Sequence, residues 1–259
     1  DHRDLHSFPT RRSSDLFFSL DDGDTVDLSL KTKLMSLIFQ MDSSTQYAKY
    51  MPGYAGMLQQ KNNDNTLYHI EWMIKKYPDF AEIYCLYGQA LYYAKKDGAI
   101  DQIQKCIEKN PKLMQPYYIL ASMYEQMKNY KIALVYYDKL EKINNKHKSL
   151  YYNRGWVKSE LKDMAGSIAD YTKCIEMQPR HERAIFNRGK IYLATNEYAK
   201  AVADFDTFVK LMPTYGPAYY NLAVAKYYLD RKEEACKDAQ KGQAIGDKSC
   251  IDYLQKYCK

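Results

Sequence analysis

Residues 151–179, YYNRGWVKSELKDMAGSIADYTKCIEMQP, and residues 185–213, IFNRGKIYLATNEYAKAVADFDTFVKLMP, decide the fold of this chain. The two stretches align without a gap at an offset of 34 residues, with Asn-Arg-Gly near the start and a proline at the end of each. A period of about 20 to 50 residues indicates a fold that is built from one repeated structural unit.

The same period continues on both sides of these stretches. Prolines close successive units at Pro78, Pro111, Pro179 and Pro213, with Asn145 in the remaining place. Small residues recur at Gly88, Ala121, Gly155, Gly189 and Ala223, and again at Ala99, Ala133, Ser167, Ala201 and Ala235. One unit is a residue short around Asp97-Gly98, so its spacing is 33 where the others are 34.

Each unit predicts two amphipathic helices. Large and small apolar residues recur at intervals of three and four, as they do along one face of an α-helix. In the second helices the expected core sets are Ala133/Tyr137/Leu140, Ser167/Tyr171/Cys174 and Ala201/Phe205/Phe208. Proline then ends the second helix, because its ring lacks an N–H and clashes with the preceding turn. Glycine costs about 1 kcal/mol relative to alanine inside a helix, so Gly155 and Gly189 predict a close approach of the two helices.

This pattern of large–x2–large–Gly/Ala, then Ala–x3–aromatic, then Pro resembles the tetratricopeptide repeat. The resemblance implies an all-α fold, a right-handed superhelical solenoid of stacked antiparallel helix pairs with five or six repeats and a C-terminal capping helix. We place five repeats at 81–113, 114–147, 148–181, 182–215 and 216–249. One such helix pair cannot bury its apolar face alone, so stability is expected from contacts between neighbours.

The two ends of the repeat array depart from the pattern. Ala239 and Gly242 replace bulky residues, so the second helix of repeat 216–249 is expected to pack weakly, and the capping helix after Asp247 ends within residues 250–259. Residues 47–80 are interpreted as a degenerate repeat whose second helix carries Thr66, Ile70, Met73 and Pro78. Residues 17–46 are expected to be irregular apart from a short amphipathic helix at 28–41.

Residues 1–16, DHRDLHSFPTRRSSDL, resemble the translation of a widely used short-read sequencing adapter. We interpret them as foreign to the natural protein and expect no function from them. They contain three arginines and three aspartates, so the net charge of +6 does not depend on them. Because an adapter sequence in this place implies that the true N-terminus was lost, a signal peptide or an upstream domain could have preceded Phe17.

Composition excludes several classes of protein. The chain is 46% hydrophobic and 27% charged, and no apolar run approaches the roughly 18 residues of a transmembrane helix. The 11 Gly, 8 Pro and 6 Cys do not fit a collagen, a low-complexity chain or a disulfide scaffold. The basic residues are scattered over helix ends and turns, which argues against nucleic acid as the partner. A related RNA-reading repeat of slightly different length is the alternative.

No constellation of catalytic residues is found, so we predict no catalytic site, no metal site and no cofactor. His147 and His181 lie in turns between repeats and are expected to be solvated, and Asp204 and Asp206 are expected on an exposed helix face. No Cys-x-x-Cys pair or glycine-rich phosphate loop occurs.

The cysteines are interpreted as free thiols. Cys106 and Cys174 occupy equivalent positions and are expected to be small buried hydrophobic residues, and Cys250 and Cys258 are too far apart on one helix for a local disulfide. This usage favours the cytoplasm, and a periplasmic location stays open because the true N-terminus is taken as lost.

The resemblance implies that the first helices line a concave groove, to which positions five, six and nine of each repeat contribute. The predicted groove residues are Tyr118, Tyr152, Asn153, Trp156, Phe186, Asn187, Lys190, Tyr220 and Asn221. Aromatic rings at position five supply contact area, and asparagine amides at position six suit the backbone of an extended peptide. The alternative is that Asn-Arg-Gly only fixes hydrogen bonds between repeats.

Chaperone-docking members of this family hold a C-terminal carboxylate with five residues, and only two have a counterpart here. Asn153 matches and Arg183 can replace a lysine, whereas Tyr118, Ser122 and Asn187 depart from the pattern. We therefore predict a non-catalytic scaffold that binds another protein or an extended peptide, without this clamp. The alternative is an accessory region of a larger enzyme whose catalytic domain lies upstream.

Overall fold

The computed structural model describes residues 63–147 and 149–258, which form helices and turns. The features predicted at 1–16, 17–46 and 28–41, and the first half of 47–80, lie outside the described residues. Within the described part there are twelve helices, and the contacts divide it into an N-terminal unit up to Asn145 and a C-terminal unit from Lys146.

The N-terminal unit contains two helix pairs that follow a single helix. The helices are α1 (Asn63–Lys76), α2 (Ala81–Tyr93), α3 (Ala99–Lys109), α4 (Gln115–Gln126) and α5 (Tyr130–Ile143). Helix α2 pairs with α3, and α4 pairs with α5, while α1 packs on α2 and α3 packs on α4. Ile70, Ile83, Ile103 and Leu120 are fully buried where these helices meet. Helix α1 contains Thr66, Ile70 and Met73, and Pro78 lies just beyond its last residue, Lys76.

The C-terminal unit contains three helix pairs and a final helix. The helices are α6 (Leu150–Glu160), α7 (Met164–Met177), α8 (Glu182–Ala194), α9 (Tyr198–Leu211), α10 (Gly216–Tyr228), α11 (Lys232–Ala244) and α12 (Lys248–Tyr257). The pairs are α6–α7, α8–α9 and α10–α11, each in contact with the next, and α12 packs on α11 and α10. The predicted all-α class, with consecutive helix pairs and a final helix, is confirmed.

Small residues lie where paired helices approach each other. A Cβ atom on Gly155 would lie 3.1 Å from Cδ1 of the buried Tyr171, and one on Gly189 would lie 3.0 Å from Cε1 of the buried Phe205. Gly88 is more tightly enclosed, since its Cβ would lie 2.6 Å from the carbonyl oxygen of Ala99. The small residues therefore set the distance between the helices of a pair.

The last helix pair is tightly packed, and the expectation of weak packing in repeat 216–249 is wrong. Ala239 is fully buried on α11, and a Cβ atom on Gly242 would meet the side chain of Cys250 on α12. Helix α12 is capped by Asp247, whose Oδ1 accepts the Cys250 N–H at 2.9 Å. Ala239 and Gly242 stand where other repeats have larger residues because α12 packs directly against this face of α11.

Tyrosine has a repeated role that phenylalanine cannot fill. The hydroxyl groups of Tyr84, Tyr117 and Tyr219 donate to the carbonyl oxygens of Pro78, Pro111 and Pro213, respectively, at 2.9, 3.0 and 3.1 Å. In each case a first helix is tied to the end of the preceding repeat. Each bond gives a hydrogen-bond partner to a carbonyl group just past the end of a helix, which accounts for part of the excess of 27 Tyr over 8 Phe.

Each turn within a helix pair contains a residue in the left-handed region that sequence analysis did not predict. The φ angles are +54° at Lys95, +58° at Lys128, +65° at Lys162, +61° at Asn196 and +59° at Asp230. The next residue's N–H returns to the helix, as Asp163 N–H does to the Lys158 carbonyl at 2.9 Å. This is the Schellman motif, in which glycine is the residue that avoids a Cβ penalty.

We expect Lys162→Gly to raise the free energy of unfolding by about 0.5–1 kcal/mol, because a left-handed residue with a Cβ costs roughly 1–2 kcal/mol and the added chain entropy of glycine offsets part of the gain. Urea unfolding followed by circular dichroism measures the midpoint. Asn196→Gly is the matched control and should gain less, since asparagine tolerates this conformation. A Lys162→Gly midpoint at or below that of the parent would contradict the expectation.

Four of the six cysteines form disulfides, so the free-thiol interpretation is wrong for them. Cys85 is bonded to Cys106 with a Cα–Cα distance of 5.4 Å, and Cys236 is bonded to Cys258 with a Cα–Cα distance of 5.8 Å. Cys174 and Cys250 are free and buried. Burial raises the pKa of both remaining thiols to about 12.

Candidate functional site

The first helices of the three C-terminal pairs, α6, α8 and α10, carry most of the predicted groove residues. Equivalent positions on these helices are 34 residues apart and therefore face the same way within the unit. The three positions differ in how much surface they leave open.

Position five is mostly buried. Tyr118, Tyr152 and Phe186 have exposed fractions of only 4%, 7% and 5%. The ring of Tyr152 lies 4.7 Å from that of His181, and the ring of Phe186 lies 4.8 Å from that of Phe208. In the N-terminal unit, the ring of Tyr118 lies 6.3 Å from that of Tyr137. These rings stabilise the repeats and leave little surface to a ligand.

Tyr220 is the accessible member at position five. It is half-buried, with its ring 6.3 Å from that of Tyr253 on α12. A side chain that is partly packed and partly open is suited to bind a ligand without a large loss of its own freedom.

Position six consists of buried asparagines. Asn153 is almost fully buried, and the side-chain amide of Asn187 donates to the Tyr171 hydroxyl at 3.4 Å. The amide of Asn221 donates to the Pro217 carbonyl at 2.8 Å in its own helix. The Asn187 contact joins two repeats, as the alternative interpretation of Asn-Arg-Gly expects.

Position nine is the most open of the three. Trp156, Lys190 and Val224 are half-buried on successive first helices. Burial lowers the pKa of the Lys190 ammonium group. We call the set Trp156, Lys190, Tyr220 and Val224 the open face.

A ladder of ion pairs lies among the same helix pairs. Arg154 Nε and Nη2 donate to the two carboxylate oxygens of Asp170, both at 2.8 Å. Lys158 Nζ lies 2.8 Å from Oδ2 of the same carboxylate. Arg188 makes the equivalent bidentate contact with Asp204 at 2.8 and 2.6 Å.

The ladder also joins neighbouring repeats. Arg188 on α8 donates to Thr172 Oγ1 on the preceding helix at 3.0 Å while it holds Asp204 on the following one. Hydrogen bonding to Asp204 raises the pKa of the Arg188 guanidinium group. Lys226 lies 2.5 Å from Asp238 and 3.9 Å from Asp206, which again belong to different repeats. Arg188 and Lys226 thus each link three helices, whereas Arg154 and Lys158 link α6 to α7 through Asp170.

The expectation of an exposed helix face is wrong for Asp204, whereas the side chain of Asp206 is 42% exposed. Asp204 is buried against Arg188, and Asp206 is half-buried near Lys226. The signal was in the sequence, because Asp170, Asp204 and Asp238 follow the 34-residue period, as do Arg154 and Arg188. These aspartates recur every 34 residues, as the core residues do, and all three are buried.

The turn histidines are less exposed than expected. His181 is half-buried and caps α8, since its Nδ1 accepts the Ala184 N–H at 3.2 Å, and its ring packs on Tyr152. His147 is also half-buried. Both histidines lie in turns that connect one repeat to the next.

Neither a cluster of metal-ligating side chains nor a membrane-spanning helix is found in the part of the chain that the structure describes. Over 63–147 and 149–258, no group of three or more His, Cys, Asp or Glu side chains is arranged to hold a metal ion. None of the helices in this part of the chain combines the length and the apolar character needed to cross a bilayer.

Sequence comparison gives a direct match to one repeat family. The model of the tetratricopeptide repeat matches residues 115–147, 149–181 and 182–215. The matched segments begin at the first or second residue of the repeats placed at 114–147, 148–181 and 182–215. No curated protein sequence matches the chain significantly.

Solved structures with the same fold support this assignment. YrrB, described as a tetratricopeptide repeat protein with an unusual peptide-binding site, is 20% identical, with a TM-score of 0.65 over 72% of this chain and 97% of its own. MamA is 19% identical, with a TM-score of 0.61 over 70% of this chain and 96% of its own. A tetratricopeptide repeat protein from Parabacteroides merdae is 16% identical, with a TM-score of 0.60 over 82% and 87% of the two chains.

Proposed function

We propose that this chain, in which three segments match the tetratricopeptide repeat, is a protein-interaction scaffold that binds an extended peptide segment of another protein along the open face of its C-terminal unit. Repeat proteins of this class are generally non-catalytic, and we propose the same for this chain. YrrB, which shares the fold, has a peptide-binding site, and this supports the proposal by analogy.

One observation carries the proposal. Trp156, Lys190 and Tyr220 lie on three successive first helices and are half-buried. The residues at positions five and six of the same helices are buried, apart from Tyr220 itself. The ion-pair ladder holds these helices together across repeats. A surface that is already rigid loses little entropy when a ligand binds.

The side chains suit a peptide in chemical terms. Trp156 and Tyr220 supply aromatic area, and such residues dominate the energetics of protein interfaces. A lysine ammonium group can donate to backbone carbonyls or to a carboxylate of the ligand, which is the role we propose for Lys190. Because Asn153, Asn187 and Asn221 are buried, we propose that they stabilise the helices of the open face and do not contact the ligand directly.

A peptide-display selection tests the proposal. Peptides selected on the full chain are synthesised with a fluorophore, and anisotropy gives their dissociation constants for the parent and for Trp156→Ala, Lys190→Ala and Tyr220→Ala. We expect Trp156→Ala and Tyr220→Ala to weaken binding about 30-fold, since truncation of an interface hot spot costs about 2 kcal/mol. Lys190→Ala should weaken it less.

Two matched controls lie on α9, which is the second helix of the pair α8–α9. Lys210→Ala removes an exposed lysine, and Tyr198→Ala removes a half-buried tyrosine outside the open face. Both should bind like the parent, and circular dichroism should show that all variants are folded. Equal affinities for the three open-face variants and the two controls would remove the assignment.

A further inference from the structure

The disulfide between Cys236 and Cys258 joins two helices at the C-terminal end of the described chain. Cys236 lies in the first turns of α11, and Cys258 follows the last residue of α12. Their Cα atoms are 5.8 Å apart, and both residues are half-buried. The bond therefore fixes the far end of α12, the opposite end from its Asp247 cap.

Helix α12 covers the apolar surface of the last helix pair. Cys250 and Tyr253 on α12 are buried against Ala235 and Ala239 of α11 and Tyr219 of α10. The helix has only 10 residues, and an isolated helix shorter than about 12 residues is marginal in water. It therefore depends on its docking contacts and on the bonds at its two ends.

The other disulfide is in a different environment. Cys85 and Cys106 are 2% and 0% exposed, inside a cluster with Ala81 and Tyr84 between α2 and α3. Attack by a thiolate requires access to a sulfur atom, so the folded N-terminal unit protects this bond. Of the two disulfides, only Cys236–Cys258 lies partly in solvent.

The two free thiols are unsuited to exchange with these bonds. Cys174 and Cys250 are buried, and burial raises the pKa of each thiol to about 12, so the reactive thiolate is scarce at neutral pH. The six cysteines therefore divide into two bonded pairs and two inert thiols. Disulfides form and persist in oxidising surroundings such as the periplasm or outside the cell, and the two bonded pairs favour such a compartment.

We propose that Cys236–Cys258 is a covalent latch on the capping helix α12, formed in an oxidising compartment and released by a dithiol reductant, while Cys85–Cys106 stays closed in the folded protein. In formation, the two thiols lose two protons and two electrons as their S–S bond forms. A protein disulfide of the thiol–oxidoreductase class accepts the electrons and becomes a dithiol. In release, an external dithiol is oxidised to a disulfide and the two cysteine thiols are restored.

Alkylation followed by mass spectrometry tests the bonding. The full chain is exported to a bacterial periplasm, purified without reductant, denatured and treated with iodoacetamide. We expect two labels, on Cys174 and Cys250. When the native protein is first treated with graded dithiothreitol, labels should appear on Cys236 and Cys258 well before Cys85 and Cys106. Six labels without reductant, or equal reduction of both bonds, would overturn the proposal.

Hydrogen exchange and thermal melting test the latch itself. Mild reduction should speed amide exchange across α12 and leave α2 and α3 unchanged. The disulfide closes a loop with a sequence separation of 22 residues. Because a crosslink over such a loop stabilises the folded state, the double variant Cys236→Ser/Cys258→Ser should have a melting temperature about 5 °C or more below that of the oxidised parent. It should no longer respond to mild reductant, whereas the control Cys174→Ala, which removes the free thiol on α7 away from α12, should respond as the parent does. Unchanged exchange and melting in the double variant would overturn the latch.

Discussion

Replacement of Asp170 by alanine is expected to lower the free energy of unfolding by about 3–5 kcal/mol, the cost of removing one partner from a buried ion pair. The Asp170 carboxylate receives two hydrogen bonds from Arg154 and lies 2.8 Å from Lys158. The side chains of Arg154 and Asp170 are 7% and 6% exposed, so water cannot replace the lost carboxylate around the guanidinium group. Urea unfolding of the parent and variant measures the difference.

A surface ion pair on the same helix is the matched control. Glu176 lies 3.4 Å from Lys173, and both side chains are more than half exposed. Glu176→Ala should change the free energy of unfolding by less than about 0.5 kcal/mol, because exposed pairs are screened by water and salt. Equal effects of Asp170→Ala and Glu176→Ala would contradict the assignment of a buried ladder.

A double variant separates the charge from the shape. Arg154→Met/Asp170→Leu removes both charges and keeps apolar volume, so it should recover much of the stability that Asp170→Ala loses. Lys158 keeps access to solvent in this background, with 18% of its side chain exposed. If the double variant is less stable than Asp170→Ala, the ladder stabilises by hydrogen-bond geometry that apolar packing cannot replace.

The sequence predicted the repeat and its core because both depend on residue size at a fixed period. Ala133, Tyr137 and Leu140 are fully buried, as the pattern required. The same reasoning fails for Asp204, because a charged residue can be buried when an arginine of the paired helix neutralises it. Whether a helix face is covered depends on the neighbouring repeat, and only the shared period of Asp170, Asp204 and Asp238 indicated it.

The disulfides and the left-handed turns were missed for a different reason. Cys85 and Cys106 are separated by 21 residues, and their pairing depends on how α2 and α3 cross. Lys162 has no turn signature of its own, and its positive φ results from the Schellman geometry that ends α6. Both features are set by helix-pair geometry, which residue types alone do not specify.

The accessibility of the predicted groove residues could not be read from the sequence. Position five of each repeat has the same aromatic character whether its ring faces a ligand or the next helix, so sequence could not separate Tyr220 from Tyr152 and Phe186. Burial separates them, since the last two pack fully against second-helix and turn residues. The proposed binding surface is thereby narrowed to side chains that are accessible.

Substitution of Gly88 by leucine is expected to lower the free energy of unfolding by about 3 kcal/mol or more, at the upper end of the cost of overpacking a core. A Cβ atom at this position would meet the side chain of Ile103 and lie 2.6 Å from the Ala99 carbonyl oxygen. Backbone atoms cannot move aside as a flexible side chain can, so α2 and α3 must separate. Separation would also expose Ile83 and Ile103, which are fully buried.

Alanine substitutions show whether the backbone contact is the cause. Gly88→Ala should destabilise by about 1–2 kcal/mol, because the clash outweighs the roughly 1 kcal/mol that alanine gains as a helix former. Gly155→Ala should be nearly neutral, since its Cβ would meet side-chain atoms of Tyr171 and Asp170 at 3.1 and 3.2 Å that can shift slightly. Thermal and urea unfolding of both variants measure the contrast. If Gly88→Ala is as stable as Gly155→Ala, the α2–α3 crossing has room that the structure does not show, and a loss in Gly88→Leu must arise from the larger side chain alone.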